Sequence, residues 1–181
     1  MPIEPDDKDW TWVLERPCPE CGFDASTVAP IDVAGLLREN AAEWRALVER
    51  SDVTRRPDDA TWSALEYACH IRDVFDLYDR RLGWMLTQDD PTFPNWDQDA
   101  TAVEERYGEQ DPAAVVAAIE AAGARLADSF EAVADDAWSR TGTRSDGARF
   151  TVATFARYLV HDPIHHVWDV EQGYAALAST S

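Results

Sequence analysis

Positive charge is scarce in this 181-residue sequence. Its 16 lysines and arginines are outnumbered by 35 aspartates and glutamates, which gives a formal net charge of −19. Nucleic acid and anionic membrane surfaces would repel such a chain, so neither is expected as a partner. No apolar run approaches the ~18–20 residues of a membrane span, and the acidic N-terminal residues lack the layout of a signal peptide. We therefore expect a cytoplasmic protein.

Cysteine is also scarce, and three residues do not make a disulfide framework. Cys18 and Cys21 lie in the stretch RPCPECGF, which resembles one knuckle of a zinc ribbon, but the sequence has no second CxxC to supply four ligands. The pair could be a redox pair, a half-site completed by other residues, a thiol lid near a metal site, or a tight turn that depends on Gly22 and the prolines. Cys69 lies in a helical pattern and is predicted to be a small buried residue.

Four segments have the apolar spacing of amphipathic helices. They are predicted over residues 32–50, 61–86, 112–134 and 151–173. Thr151 is the expected N-cap of the last helix and Gly173 its end. A long acidic connection, residues 87–111, separates the second and third helices, and Ser145-Asp146-Gly147 predicts a small hairpin before the fourth. The sequence therefore predicts an all-α four-helix bundle, up-down-down-up, with a long crossover between helices 2 and 3.

The predicted bundle occupies residues 32–175, between an N-terminal arm (1–31) and a tail (176–181). Trp10, Trp12 and Phe23 would bury enough apolar area, at about 25 cal/mol per Å², to hold the arm down. We predict that Trp10 to Phe23 folds back on the bundle and narrows the mouth of a metal site in it, and does not form an independent zinc module. Eight tryptophans also suggest spare aromatic surface, and a homodimer is a further expectation.

Three of the four histidines lie within six residues of the last predicted helix. His161 and His165 are four residues apart, so their azimuths differ by about 40° and the imidazoles share one face. Such a pair is half of a divalent-metal site, although the spacing also arises by chance. His166 points about 100° away from His165 and is predicted to belong to another surface. Pro163 lies between the pair and is expected to kink the helix. The pair needs a third ligand, and the only other histidine is His70.

Three stretches carry a family resemblance. They are Thr61–Asp73 (TWSALEYACHIRD), the Asp-Gly hairpin, and His161–Asp169 (HDPIHHVWD). Over about residues 32–175 the chain resembles the DinB/YfiT-like superfamily, which includes thiol-dependent S-transferases and the N-terminal domain of mycothiol-dependent maleylpyruvate isomerase. The resemblance implies one divalent metal per chain, held by His70, His161 and His165. Zinc is the first expectation, with nickel, iron or manganese as alternatives.

The resemblance also implies a function. Three protein ligands leave an open metal position, as in catalytic sites. The implied protein is a thiol-dependent, mycothiol-type S-transferase or isomerase that uses a low-molecular-weight thiol as co-substrate and acts on a small electrophile. The alternative is a non-catalytic metal-binding module of the same fold, for stress response or ligand binding.

Five further residues are candidates around the implied site. Asp73, one turn from His70, and Asp169, one turn past His165, could orient the imidazoles or could be solvated helix surface. Contact with the thiol or substrate is predicted for Tyr67, Arg72 and Arg157.

Overall fold

The structure is a computed structural model that describes residues 9–179. The first eight residues of the predicted arm and the last two of the predicted tail lie outside the described residues. The helices are α1 (Val33–Val48), α2 (Ala64–Thr87), α3 (Gln98–Glu104), α4 (Pro112–Glu131) and α5 (Val152–Ser179). The strands are β1 (Thr92–Phe93), β2 (Thr141–Arg144) and β3 (Arg149–Thr151). Among the described residues, no helix is both long enough and apolar enough to cross a bilayer.

The four long helices enclose one apolar core. α1 and α2 each pack against both α4 and α5. The large side chains of Trp44, Phe75 and Phe155 are at most 1% exposed at its centre. The predicted helical bundle is confirmed at this level, while the up-down-down-up order of its helices stays a prediction.

A small sheet accompanies the bundle. β2 and β3 pair antiparallel around Gly147, whose φ of +96° favours glycine, and so the predicted hairpin is present. β1 lies parallel to β2, with Thr92 opposite Thr143. The long connection therefore contributes a strand to the sheet. It also contains α3, capped by Asp97, which accepts a hydrogen bond from the Ala100 amide at 2.9 Å. Neither β1 nor α3 was predicted.

The start of α2 lies three residues beyond the predicted Thr61. The Ser63 hydroxyl accepts a hydrogen bond from the Glu66 amide at 3.3 Å, and the Glu66 carboxylate accepts one from the Ser63 amide at 2.8 Å. This reciprocal capping box fixes the first turn at Ala64. Burial opposes the charge on Glu66, but the paired Arg56 guanidinium and the Ser63 donors hold its pKa below the usual value. Glu66, the acidic member of the capping box, is therefore a charged carboxylate.

The last helix differs from its prediction at its C-terminal end. Thr151 Oγ1 accepts from the Thr154 amide at 3.1 Å, as an N-cap does. The predicted end at Gly173 is wrong, since α5 continues to Ser179 and includes residues 176–179 of the predicted tail. Apolar burial continues past the glycine at Leu177. An added Cβ at Gly173 would lie 3.5 Å from Pro57, an ordinary van der Waals contact, so packing does not require a glycine there.

Pro163 lies inside α5 without ending it. Its ring removes the donor that would bond the Leu159 carbonyl. Its own carbonyl accepts from Asn40 Nδ2 at 2.9 Å, and Asn40 Oδ1 accepts from Trp44 Nε1 at 3.1 Å. This buried polar chain fastens α1 to the middle of α5, while the kink expected at Pro163 stays a prediction.

Two helical glycines give a matched test of the packing. A Cβ on Gly123 of α4 would lie 2.8 Å from Ala41 Cβ of α1 and 3.2 Å from the Phe75 ring of α2, whereas a Cβ on Gly83 of α2 would meet nothing within 4 Å. Gly123→Ala should lower the free energy of unfolding by about 1–3 kcal/mol through overpacking. Gly83→Ala should raise it by up to about 1 kcal/mol through helix propensity. Urea unfolding measures both, and a stabilising Gly123→Ala would contradict the close approach of α4.

Candidate metal centre

A cavity of about 470 Å³ lies between α2, α5 and the connection that carries α3. Its polar lining combines imidazoles, carboxylates and guanidiniums, among them His70, Arg81, Arg144, His161, Asp162, His165 and His166. The three histidines predicted as metal ligands therefore share one cavity wall, and the fourth histidine joins them.

The described side chains that could ligate a metal form two groups, and within each group the donor atoms lie within 4.8 Å of one another. The first group contains Cys18, Cys21, His161 and His165, and the second contains His70, Asp162 and His166. The three predicted ligands are thus divided between two groups. The cause is the geometry of the α-helix, in which each residue is rotated by about 100° from the one before it. The pairs 161/165 and 162/166 have the same spacing of four but begin one residue apart, so the two pairs point about 100° apart.

His70 is the most enclosed residue of the second group, with 1% of its surface exposed. Its ring stacks on Trp96 at a centroid distance of 5.3 Å and lies 5.4 Å from Trp62. Neither ring nitrogen has a hydrogen-bond partner among the described residues, and Asp162 Oδ2 is 3.7 Å from Nε2. Burial lowers the pKa of His70 and favours the neutral imidazole, the form that binds a cation.

His166 is oriented by two carboxylates. Its Nδ1 lies 2.7 Å from Asp169 Oδ2, and its Nε2 lies 3.4 Å from Asp162 Oδ1. Burial disfavours the charged ring, but these carboxylates outweigh it and raise the pKa of His166 to about 10. A cation among the three donors would replace the proton on Nε2, while Asp169 would keep the proton on Nδ1.

The donor set fits a divalent cation. Leaving buried polar atoms unpaired, as at His70, costs about 1–3 kcal/mol each, and a metal ion would remove that cost. Two imidazoles and one carboxylate are the ligands that zinc and iron(II) take in sites with open positions. Sequence reasoning missed Asp162, although its spacing of four from His166 was a usable signal.

The two candidate orienting carboxylates have different partners. Asp169 contacts His166 as described and lies 3.7 Å from His165 Nε2, the residue for which it was predicted. Asp73 accepts hydrogen bonds from Arg72 Nε at 2.7 Å and from the Tyr107 hydroxyl at 2.5 Å. Asp73 therefore makes no hydrogen bond to His70, whose ring nitrogens have no hydrogen-bond partner among the described residues.

The three residues predicted to contact the thiol or substrate lie in different surroundings. The Tyr67 ring lies 4.9 Å from that of His166, close to the second group. Arg72 is paired with Asp73 and donates to Gln110 Oε1 at 2.6 Å. Arg157 Nε donates to the Val28 carbonyl at 2.9 Å and so connects α5 to the chain just before α1. Substrate contact stays a prediction for all three, and for Arg72 and Arg157 it would compete with these contacts.

The cysteine group joins the arm to α5. Cys18 Sγ lies 3.6 Å from His165 Nδ1, and Cys21 Sγ lies 3.9 Å from His161 Nε2. The Trp10 ring lies over both imidazoles, at centroid distances of 5.7 Å and 5.3 Å, and lines the cavity. Burial raises the pKa of the Cys21 thiol to about 11, so without a cation it would be a poor nucleophile.

Cys69 does not take part in either group. It is fully buried, as predicted, and its Sγ lies 3.7 Å from the Tyr107 carbonyl. Its surroundings are those of a packed core residue.

The sequence matches the family model of the DinB superfamily over residues 36–170. The chain belongs to this superfamily, and the resemblance seen in the sequence is confirmed. It has no significant match among curated proteins.

Two solved structures share the fold. YfiT from Bacillus subtilis, described as "a probable metal-dependent hydrolase with an unusual four-helix bundle topology", aligns with a TM-score of 0.72 at 18% identity, over 82% of this chain and 91% of YfiT. A mycothiol-dependent maleylpyruvate isomerase aligns with a TM-score of 0.63 at 14% identity, over 79% of this chain and 61% of the isomerase. At these identities the likeness shows the fold alone.

The contact between Asp169 and His166 predicts an effect on metal affinity. Asp169→Asn should weaken zinc binding by about 10- to 100-fold, because the ring would lose the carboxylate that fixes its proton on Nδ1. Competition with a chelating dye measures the zinc affinity. The control is Glu171→Gln, which makes the same kind of carboxylate-to-amide change at an exposed position of the same helix. Equal affinities in the two variants would exclude an orienting role for Asp169.

Proposed function

We propose that this protein is a metal-dependent enzyme that transfers the sulfur of a low-molecular-weight thiol to a small electrophile, or uses such a thiol to isomerise it. The observation that carries the proposal is the pair of ring nitrogens of His70, which have no hydrogen-bond partner among residues 9–179 and are buried beside Asp162 and His166 on a cavity wall. Three protein donors facing a cavity leave a coordination position for a thiol or water.

The chain's own residues prepare this position. A divalent cation held there would supply Lewis acidity, which lowers the pKa of a thiol or water that it binds. Trp62 and Trp96 enclose the His70 ring and exclude water from it. Asp169 holds the proton on His166 Nδ1, so that Nε2 remains directed towards Asp162. The result is a donor set that is fixed before any substrate enters.

Arg81 and Arg144 give the cavity a positive side despite the acidic chain. Arg81 is 4% exposed, and its Nη2 donates to the Pro94 carbonyl at 2.7 Å. Its Nε is buried and has no hydrogen-bond partner among the described residues. Arg144 is paired with Asp146 at 2.7 Å. A carboxylate on the electrophile would satisfy the guanidinium of Arg81, so we propose an anionic substrate.

The rest of the cavity suits a hydroxyl-rich thiol. Amide and carboxylate side chains line it at Asn95, Asp97, Gln98 and Asp99. Such groups accept hydrogen bonds from sugar hydroxyls, and the carboxylates would repel a polyanionic thiol. A mycothiol-type co-substrate therefore fits this side better than a strongly acidic one. The fold shared with a mycothiol-dependent isomerase supports the same choice.

The proposed chemistry balances without a redox partner. In transfer, the thiol loses its proton to solvent, a sulfur–carbon bond forms, and the leaving group departs with its electron pair. In isomerisation, the thiol adds to the electrophile and is eliminated after rotation about the former double bond, so it is regenerated. Both routes need an acidified thiol held near an electrophile, which the cavity provides.

The proposal predicts that turnover depends on the second group. His70→Ala and His166→Ala should reduce the conjugation of mycothiol with a generic alkylating electrophile to the uncatalysed rate, and both should lower bound metal. The control is Arg80→Ala, because Arg80 is exposed although it is the chain neighbour of the cavity-lining Arg81. Full activity in either histidine variant would refute the assignment. Binding of thiol without turnover by the unaltered protein would favour the non-catalytic alternative.

The side chain of Arg81 gives a second test of the substrate class. Arg81→Lys should raise KM for a carboxylate-bearing electrophile by about tenfold or more, since a hydrogen bond to a charged group contributes about 1.5–3 kcal/mol. kcat should change much less, because the contact is equal in ground and transition states. KM for a neutral electrophile should stay unchanged. An equal rise for both electrophiles would contradict anion recognition by Arg81.

A further inference from the structure

The cysteine group has the dimensions of a tetrahedral zinc site. Bonds of about 2.3 Å to sulfur and about 2.0 Å to nitrogen, at tetrahedral angles, separate a sulfur and a nitrogen ligand by about 3.5 Å. The two sulfur–nitrogen distances in the structure are 3.6 Å and 3.9 Å, and all four donors converge within 4.8 Å. Two thiols and two imidazoles are also a set that structural zinc takes.

The backbone around the cysteines already has the form of a metal knuckle. The Gly22 amide donates to the Cys18 carbonyl at 2.9 Å, and the Cys18 amide donates to the Phe23 carbonyl at 2.9 Å. Gly22 adopts φ +75°, a conformation that other residues rarely take. The glycine therefore closes the turn that directs both sulfurs to one side. The CxxC sequence provides only two of the four ligands, and α5 supplies the other two, His161 and His165.

The groups around the two imidazoles favour coordination through particular nitrogens. His165 directs Nδ1 towards Cys18, while its Nε2 lies 3.6 Å from Glu20 Oε2 and 3.7 Å from Asp169 Oδ1. A carboxylate facing the non-ligating nitrogen is the usual partner of a metal-bound imidazole. His161 directs Nε2 towards Cys21.

The number of donors distinguishes this group from the one that contains His70. Cys18 is 1%, His161 4% and His165 6% exposed, Cys21 is half-buried, and the Trp10 ring lies against both imidazoles. Four protein donors complete a tetrahedron and leave no position for a substrate. The group is therefore suited to hold structure and not to catalyse.

We propose that Cys18, Cys21, His161 and His165 bind one zinc ion in a closed structural site that fastens the N-terminal arm to α5. On binding, the two thiols release their protons to solvent, and the two thiolates balance the charge of the ion while both imidazoles stay neutral. The site is separate from the proposed catalytic group and does not depend on its activity. It would make the arm, with Trp10, a fixed wall of the cavity.

Metal replacement tests the proposal on the full-length protein. Purified under reducing conditions and loaded with cobalt(II), the unaltered protein should show thiolate-to-cobalt charge-transfer absorption and the intense visible bands of tetrahedral coordination. Cys18→Ser/Cys21→Ser should lose the charge-transfer absorption and about one zinc per chain by elemental analysis. Cys69→Ser, a change of the remaining cysteine, should keep both. His166→Ala should keep the charge-transfer absorption even where it abolishes activity, which separates this site from the proposed catalytic one.

Hydrogen exchange gives a readout of the structural role. Adding a chelator to the unaltered protein, or introducing Cys18→Ser/Cys21→Ser, should speed amide exchange in residues 10–28 more than in α1 and α4. Absence of thiolate-to-cobalt absorption in the unaltered protein would overturn the proposal, whether or not the double variant folds. So would a zinc content that the double variant retains.

Discussion

The buried imidazoles set the main constraint on the site of this protein, because each must find a partner or leave a polar atom unsatisfied. Residues 161–166 of α5 answer this requirement twice, with two donor pairs that have the same spacing and begin one residue apart. One pair is directed to the cysteines of the arm and the other to His70 on α2. The arm and α2 thereby both face the same turn and a half of helix, and the rotation of α5 about its axis sets the position of both groups.

Pro163 lies in the middle of that turn and a half. A proline there leaves the Leu159 carbonyl without its usual donor, which weakens the helix where its side chains must be placed most accurately. The chain from Trp44 through Asn40 to the Pro163 carbonyl is buried and ties this segment to α1. Packing and the hydrogen bond from Asn40 therefore hold this segment of α5 in place, where one backbone hydrogen bond of the helix is missing. The core of the bundle and the placement of the donors are coupled through Asn40.

The periodic apolar stripes predicted the four long helices, because each buries one face against the same core. The hairpin followed from its Asp-Gly turn. The site was harder to predict than the fold. The histidine pair 161/165 was correctly seen to share a face, but helical spacing cannot say what a face meets. Asp162 and His166 have the same spacing, but reading only histidines as ligands hid Asp162 and left His166 without a partner on its own face. Cys18 and Cys21 looked incomplete because their neighbours in space lie 140 or more residues away in sequence. Gly173 resembled a helix end because glycine is common just past helix C-termini, but here the helix continues beyond it.

The distance along the chain between Cys18 and His165, 147 positions, has a consequence for biosynthesis. The arm leaves the ribosome well before α5, so its two thiols emerge without the imidazoles that face them in the folded protein. Closing a loop of this length costs entropy, but the cost grows only slowly with the number of residues in the loop. A chain interrupted before α5 therefore presents Cys18 and Cys21 without His161 and His165.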